Sequence, residues 1–594
     1  MLLLALAMAG TACGDGGSKP GIVPVDGAGL PGDVADVGVD AGGDAGADSG
    51  ADSEADSEAD SGADSGADSE ADSGADSEAD SEADSDSDSE ADSGADSEAD
   101  SEADSDSEAD SEADSGADSE ADTDSDADSD SATDSDSDAS TPGEPCADPA
   151  LLGSHLGCAF WTVDLPNYPD PPFGVGPPKP NPKDTPHVLD LVNPGPVAVV
   201  VTFEAPAGVA APATLTIPAG EAASVTMPVL DAEGPGVEAL AFRVLASAPV
   251  AAWQRSESDG QASVGASLLL PEAALGQSYA VATRANVPIP PIFPDLPDQR
   301  GFFAVVAIAD GTEVTFTPAA AVAAGPGLLA TALGEARTVV LERGEVLTVF
   351  GTNPSDFKGA DLTGSLVVAD KPVAVFAGHE EASVGAGSGV TTCCADMLQT
   401  QLFPGESQGT DVLALRSPPR ASEPDVWVIQ AVTGPTTVTL VPDPTGQSGA
   451  ALTGAGATLE LVSFESFHVS ATGPVQVFQL LAGGEAANDL GDPALTEMVP
   501  TDRLLTRYDV WMVAGYQRRV SLGRMAGTTV TIDGEVVGAE LFEAVGDTGW
   551  EAGSVTLSAG VHTLTGSAPF AAQVYGYADK GAFAAPAGLG PPTP

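Results

Sequence analysis

The stretch GSLVVADKPVAVFAGHEEA, Gly364 to Ala382, decides how the chain folds. It reads as two apolar strands around a tight turn, with Pro372 at the turn. Proline cannot donate to a sheet ladder, so it suits a turn or a strand start. The same design returns in FRVLASAPVAAWQ (242–254), FHVSATGPVQVFQ (467–479) and HTLTGSAPFAAQVYGY (562–577). The central proline falls at Pro249, Pro372, Pro474 and Pro569. Four copies of one hairpin imply four copies of one β-module.

Other strands repeat in step. TEVTFTP (312–318), TTVTLVP (436–442) and TTVTIDG (528–534) alternate Thr and Val. Such alternation gives a strand one apolar face and one hydroxyl-bearing face. The fourth copy is either ATLTIP (213–218) or VVVTFEAP (199–206). Between modules runs an apolar–Pro–polar turn–strand pattern, in LLLPEAALGQSYAVA (268–282), TQLFPGESQGTDVLAL (400–415) and EMVPTDRLLTRYDVWMV (497–513). CAFWTVDLP (158–166) stands as the first opening strand. The expected fold is all-β: four repeated antiparallel modules near 158–270, 279–404, 411–500 and 508–594. A propeller-like ring is favoured over tandem β-sandwiches, because the links between modules are short. In the ring, the opening strand of one unit is expected to complete the sheet of another.

Upstream the composition changes completely. Of 92 acidic residues, 40 lie between Ala41 and Ser140, where there is no Lys or Arg. That leaves 52 acids against 19 bases elsewhere, a net −33 out of −73. Residues 14–144, with repeats such as ADSEADSEADSG, lack side chains able to offset ordering entropy and read as a disordered tether. A neutral flexible chain of ~100 residues spans about 50–60 Å, and self-repulsion extends this one further. DSDSDSE (84–90) is no EF-hand loop, since Ser89 occupies the sixth position, where glycine makes the turn. Neither half has the clustered Lys and Arg that phosphate binding needs, so nucleic acid is not an expected partner.

The first 13 residues, MLLLALAMAGTAC, form an address. Leu2 to Ala9 are apolar but too few to span a bilayer. Small residues then precede Cys13, which resembles a bacterial lipoprotein signal whose cysteine is lipidated. The expected location is the cell envelope, on an outer-membrane lipoprotein exposed at the surface, anchored in the membrane through its lipid.

GCAFWTVDLPN (157–167), VVADKPVAVFAGHE (367–380) and CCADMLQTQLFP (393–404) together resemble the IgG Fc-binding protein N-terminal domain family, over roughly Leu152 to Tyr577. The resemblance implies extracellular binding or adhesion and not chemistry. It does not carry the family's name over as an activity, because no Fc-contacting residue is identifiable.

Four further cysteines remain: Cys146, Cys158, Cys393 and Cys394. Outside the cytoplasm they suggest two disulfides. Adjacent Cα atoms lie about 3.8 Å apart, below the usual disulfide range of roughly 4.4–6.8 Å. The favoured arrangement therefore joins Cys393 and Cys394 each to one of Cys146 and Cys158. The alternative is Cys146–Cys158 plus a vicinal bridge. A zinc site is not expected, because CC lacks the C-x₂₋₄-C spacing and His155 adds little.

Catalysis has weak candidates. GESQG (405–409) matches G-x-S-x-G and points at Ser407, but that motif needs a helix after it, and TDVLAL reads as a strand. His379, Glu380 and Glu381 do not make HExxH, because Ser383 stands where the second histidine belongs. His187, His468 and His562 share no motif. Trp161, Trp253, Trp427 and Trp511 fall in equivalent strands and read as core. No catalytic, cofactor or metal residue is assigned. The expected function is a cell-surface lipoprotein presenting an adhesion or ligand-binding domain to an extracellular protein or glycan. The alternatives are a secreted hydrolase with a site between modules and a structural matrix component.

Overall fold

A computed structural model describes residues 146, 148, 151–169, 182–232, 234–258, 261–289, 297–354, 358–385, 395–447, 449–488 and 490–592. Residues 1–145, with Cys13 and the acidic repeats, lie outside these, as do Cys393 and Cys394.

The repeated unit is not a hairpin. Leu366–Ala382 is one continuous strand with Pro372 in its middle, and its counterparts are Phe242–Ser258, Phe467–Leu480 and Gly560–Ala578. The proline marks where the strand changes partners. Before it, Leu366–Ala369 pair with Val314–Thr317 on one side, while Leu366–Val368 pair with Ser278–Ala280 on the other. Beyond it, Val373–His379 pair with Gly301–Ala307, and Phe376–Ala382 with Asp396–Gln401. Asp370 to Pro372 fall between the two ladders, so the missing N–H costs no bond. The opening strands carry a register shift facing this point in all four units. Such bulges bend a strand and increase its twist. Apolar runs flanking a proline are equally compatible with a turn and with a bent strand; pairing on both sides chooses the second.

Each long strand organises one curled antiparallel sheet of seven or eight strands. The Thr-Val strands become Thr312–Thr317, Thr436–Val441 and Val530–Ile532, each paired with its long strand. In the first two the Val and Leu side chains are buried and the alternate Thr and Glu face outward. The fourth copy is Val199–Glu204; Leu215–Ile217 is its outer neighbour. The expected strand exchange occurs differently. Every opening strand pairs with its own long strand. The strand that crosses is Gly236–Ala239, which leaves the first unit to pair with Glu345–Thr348 of the second.

The units close into a ring. Strand Gly301–Ala307 shows why. Phe302, Ala304 and Val306 pack with the first unit, whereas Phe303, Val305 and Ala307 share a core with Val426, Val428 and Phe478 of the third. Alternation here separates two neighbours instead of core from solvent, so GFFAVVA is apolar throughout. Likewise Trp427 and Ile429 turn to a core shared with the fourth unit. A fourth core joins Tyr508, Leu522 and Phe570 to Ala251, Trp253 and Leu268 of the first. An open row would leave two apolar faces bare; closure leaves none. At the junction of last and first units, Trp253 Nε1 donates to the Pro586 carbonyl at 3.2 Å. The buried His155 donates from Nδ1 to the Leu589 carbonyl at 3.0 Å.

Cys146 is bonded to Cys158, with Cα atoms 5.8 Å apart. The favoured cross-links from these two cysteines to Cys393 and Cys394 therefore do not form. The two cysteines are 12 positions apart in sequence, and their Cα atoms lie within disulfide reach.

Around the ring axis the closing strands Gln261–Leu269, Asp396–Gln401, Leu495–Glu497 and Gly581–Pro586 neighbour one another. Gln401 and Glu497 occupy equivalent places, opposite Phe376 and Phe478. Gln401 Oε1 accepts the Leu270 amide at 2.8 Å, and Glu497 Oε2 accepts the Phe403 amide at 3.0 Å. The carboxyl also accepts from Gln408 Nε2 at 2.6 Å. Burial pushes Glu497 up to about 8, so it is neutral at pH 7, like its amide counterpart. The unfolded chain ionises near 4.5, so folded stability falls as pH rises from there towards 8. At pH 7 the cost is about 3 kcal/mol, at ~1.4 kcal/mol per pH unit. Glu497→Gln is expected to raise stability at pH 7 by that order and to remove the slope, read as urea midpoints from pH 5 to 8. An unchanged slope would contradict a buried neutral acid.

Candidate functional site

The connections leaving the first two opening strands meet the end of the second long strand, at Glu380. There they border a cleft of about 240 Å³, lined by Asn167, Lys183, Asp231, Pro297, Arg300 and Glu380 among others. Glu380 of the GHEE motif lines it.

Its floor is an ion pair. Glu380 accepts from Arg300 Nε at 2.8 Å and Nη2 at 2.5 Å, and from the Arg300 amide at 3.1 Å. The Arg300 guanidinium also lies 4.0 Å from the centre of the Phe350 ring. Burial pushes the Glu380 carboxyl up, against the opposing pull of Arg300. Beside it Gln299 Nε2 donates to Glu381 at 2.6 Å. Tyr168 donates its hydroxyl to the Pro297 carbonyl at 2.9 Å, and burial holds its phenol above the ordinary range. His379 points the other way, into the core. It is fully buried, its Nδ1 accepts the Glu381 amide at 3.0 Å, and burial pushes it down to about 3. Alternation thus separates the first two groups, with a neutral His379 turned into the core and Glu380 at the floor of the cleft. With Glu380 bound to arginine and His379 neutral and enclosed, the cleft presents charge and shape.

The other candidates separate. Ser407 lies buried in a 3₁₀ turn, Gly405–Ser407, followed by the strand Gly409–Ala414. Equivalent turns occur at Glu272–Ala274 and Thr501–Arg503, so this is a junction between units. His468 contacts Ser470 Oγ at 3.3 Å on the third long strand. His562 Nδ1 meets Asp533 at 2.6 Å and its Nε2 meets Ser558 Oγ at 3.2 Å. The same Nε2 lies 3.0 Å from the Ser558 carbonyl, which ties the ring into a local turn. Trp161, Trp253 and Trp427 are core, and Trp161 Nε1 donates to Glu272 at 2.8 Å. Trp511 is half-buried. Among the described residues no three His, Cys, Asp or Glu side chains are placed to hold a metal ion. No described helix is long and apolar enough to cross a membrane.

Sequence reasoning reached Glu380 but missed Arg300, Lys183 and Asp231, which belong to connections without a shared pattern.

Residues 265–576 match the family described as IgGFc binding protein. The match begins inside the closing strand of the first unit, whose likeness to the others rests on its sheet topology. No curated protein matches the chain. Among solved structures, a tetra-tandem repeat in the extending region of a large adhesion protein aligns at 13% identity, over 69% of this chain and 96% of its own. Its TM-score of 0.08 carries no argument about fold.

Proposed function

This chain belongs to the IgGFc-binding protein family, and from that premise we propose that it binds an extracellular ligand at the Arg300–Glu380 cleft. One observation carries the reading: the longest connections of the first two units converge on a fixed ion pair, with Lys183 and Asp231 also lining the opening. Loops held by a rigid sheet scaffold are where recognition concentrates. Lining groups of both signs suit a polar protein surface.

The presentation is part of the same proposal. Cys13 carries lipid, residues 14–144 act as an acidic spacer, and the ring stands off an outer membrane. Fatty-acid labelling of cells making the full chain is expected to mark the protein, and Cys13→Ser to abolish the label and release the chain from the envelope fraction. Label persisting in Cys13→Ser would end the anchor proposal.

The binding proposal is tested with the mature chain on arrays of extracellular proteins and glycans. Asp231→Lys is expected to weaken protein hits at least tenfold, ~1.4 kcal/mol, without moving the unfolding midpoint. Hits indifferent to this change, or none on proteins, would refute the cleft as the site.

A further inference from the structure

A second constellation lies wholly inside the first unit. Thr162 ends the opening strand Gly157–Thr162, and His187 begins the next strand, His187–Val192. Gln254 lies on the long strand, two residues from Ser256, the register partner of His187. Thr162 Oγ1 donates to Gln254 Oε1 at 2.8 Å and stands 2.9 Å from His187 Nε2. On the far side of the imidazole, Nδ1 has no hydrogen-bond partner and lies 3.7 Å from Asp164 Oδ1, within ion-pair distance. Asp164 is itself fixed, accepting the Leu230 amide at 3.0 Å. Gln254 is equally held. Its Oε1 accepts the Val163 amide at 3.3 Å, and its Nε2 donates to the Val163 carbonyl at 3.2 Å and to Gln399 at 3.1 Å. All four side chains are at least 96% buried.

In order, these are a hydroxyl, an imidazole on that hydroxyl, a carboxylate behind the imidazole, and a carboxamide whose oxygen accepts the hydroxyl proton. A backbone N–H meets the carboxamide oxygen, where negative charge would collect on attack. That is the geometry of acyl transfer. The acyl group belongs to the protein itself and is buried. We propose that Thr162 and Gln254 become joined by an intramolecular ester.

The step balances without a co-reactant. Once the Thr162 hydroxyl turns its proton from Gln254 Oε1 to His187 Nε2, the imidazole takes it as Oγ1 attacks the Gln254 side-chain carbonyl carbon. The Val163 amide stabilises the oxyanion. Collapse breaks the C–N bond, His187 returns the proton to the leaving nitrogen, and ammonia departs. A new C–O bond replaces the old C–N bond, nothing is oxidised or reduced, and the chain loses one ammonia. Asp164 is a positioning residue that orients the imidazole. Fixed neighbours react with effective molarities of about 10⁵–10⁸ M, which compensates for a weak nucleophile. Burial then keeps water from the ester, and the escaping ammonia does not return.

The bond would tie the opening strand, four residues past Cys158, to the long strand at the heart of the first unit. Its use in resisting tension rests on the tether proposed above; its existence does not. Cys13→Ser removes the lipid but leaves the Thr162–Gln254 cross-linked peptide where it is, so the two ideas fail separately.

The test is the intact mass of the mature full chain under denaturing conditions, followed by protease mapping. The expected mass is one ammonia below that of the Thr162→Val chain once the substitution itself is allowed for, with a Thr162–Gln254 cross-linked peptide that hydroxylamine cleaves. Thr162→Val should restore the ammonia, and Thr162→Ser, which keeps the hydroxyl, should retain the link. Free Thr162 and Gln254 peptides at full yield from the wild-type chain would overturn the proposal, whatever the variants do. So would conversion of Gln254 to glutamate without a link.

Discussion

Lowering the pH from 7 to 4 is expected to cost the folded ring about 7 kcal/mol through two histidines. His155 and His379 are both buried and both held neutral, pushed down to about 4 and about 3. Burial is the main cause at each. In the unfolded chain they protonate near 6.5, so between pH 6.5 and 4 the unfolded state binds two protons that the folded state refuses. Stability therefore falls with pH, at ~1.4 kcal/mol per unit for each group. Below pH 4 only His379 continues the fall, to about 3. Glu497 works in the opposite sense over part of this range, since its folded form keeps a proton the unfolded chain releases. The decisive reading is therefore a difference between proteins. His155→Asn and His379→Asn should each remove about half of the acid loss in urea midpoints from pH 7 to 4. A constant gap from wild type across that range would sink the prediction. His155 also donates to Leu589 between the last and first units, so exchange of amides around 585–592 should rise first where His155 yields.

Gly378→Ala is expected to cost more than about 4 kcal/mol, in the range reserved for severe overpacking. Gly378 lies in the long strand opposite Gln399 of the closing strand. A Cβ there would stand 2.0 Å from the Leu398 carbonyl oxygen and 2.8 Å from the Phe302 ring. The first obstacle is backbone in a paired strand and cannot rotate away. Relief requires separating two strands that build the ring axis. Gly434 supplies the control, because nothing lies within 4 Å of a Cβ at that position. Gly434→Ala should leave the urea midpoint close to wild type. A Gly378→Ala chain as stable as that control would mean that the closing strand does not seat against the long strand as described.

Gly378 and His379 belong to one motif, which shows how much of this protein was legible beforehand. In AGHEEA the alternation places His379 inside and Glu380 at the cleft. Yet the arginine that fixes Glu380 comes from a different connection, with no repeat to flag it. Thr162, His187 and Gln254 were in plain view as residues, but 25 and 92 positions separate Thr162 from its two partners. Only the curl of the sheet brings the start of the unit against the end of its long strand.

An all-β chain of four related units, with buried valines and outward threonines, follows from the sequence alone, because side-chain alternation and proline spacing are local properties. The tertiary structure decided that the prolines sit within continuous strands, that Gly236–Ala239 is the strand that crosses, and that Cys146 takes Cys158. It also decided which neighbour each face of GFFAVVA meets. Alternation specifies that a face is buried and says nothing of what buries it. That choice belongs to long-range register and ring closure, which no short stretch of residues encodes.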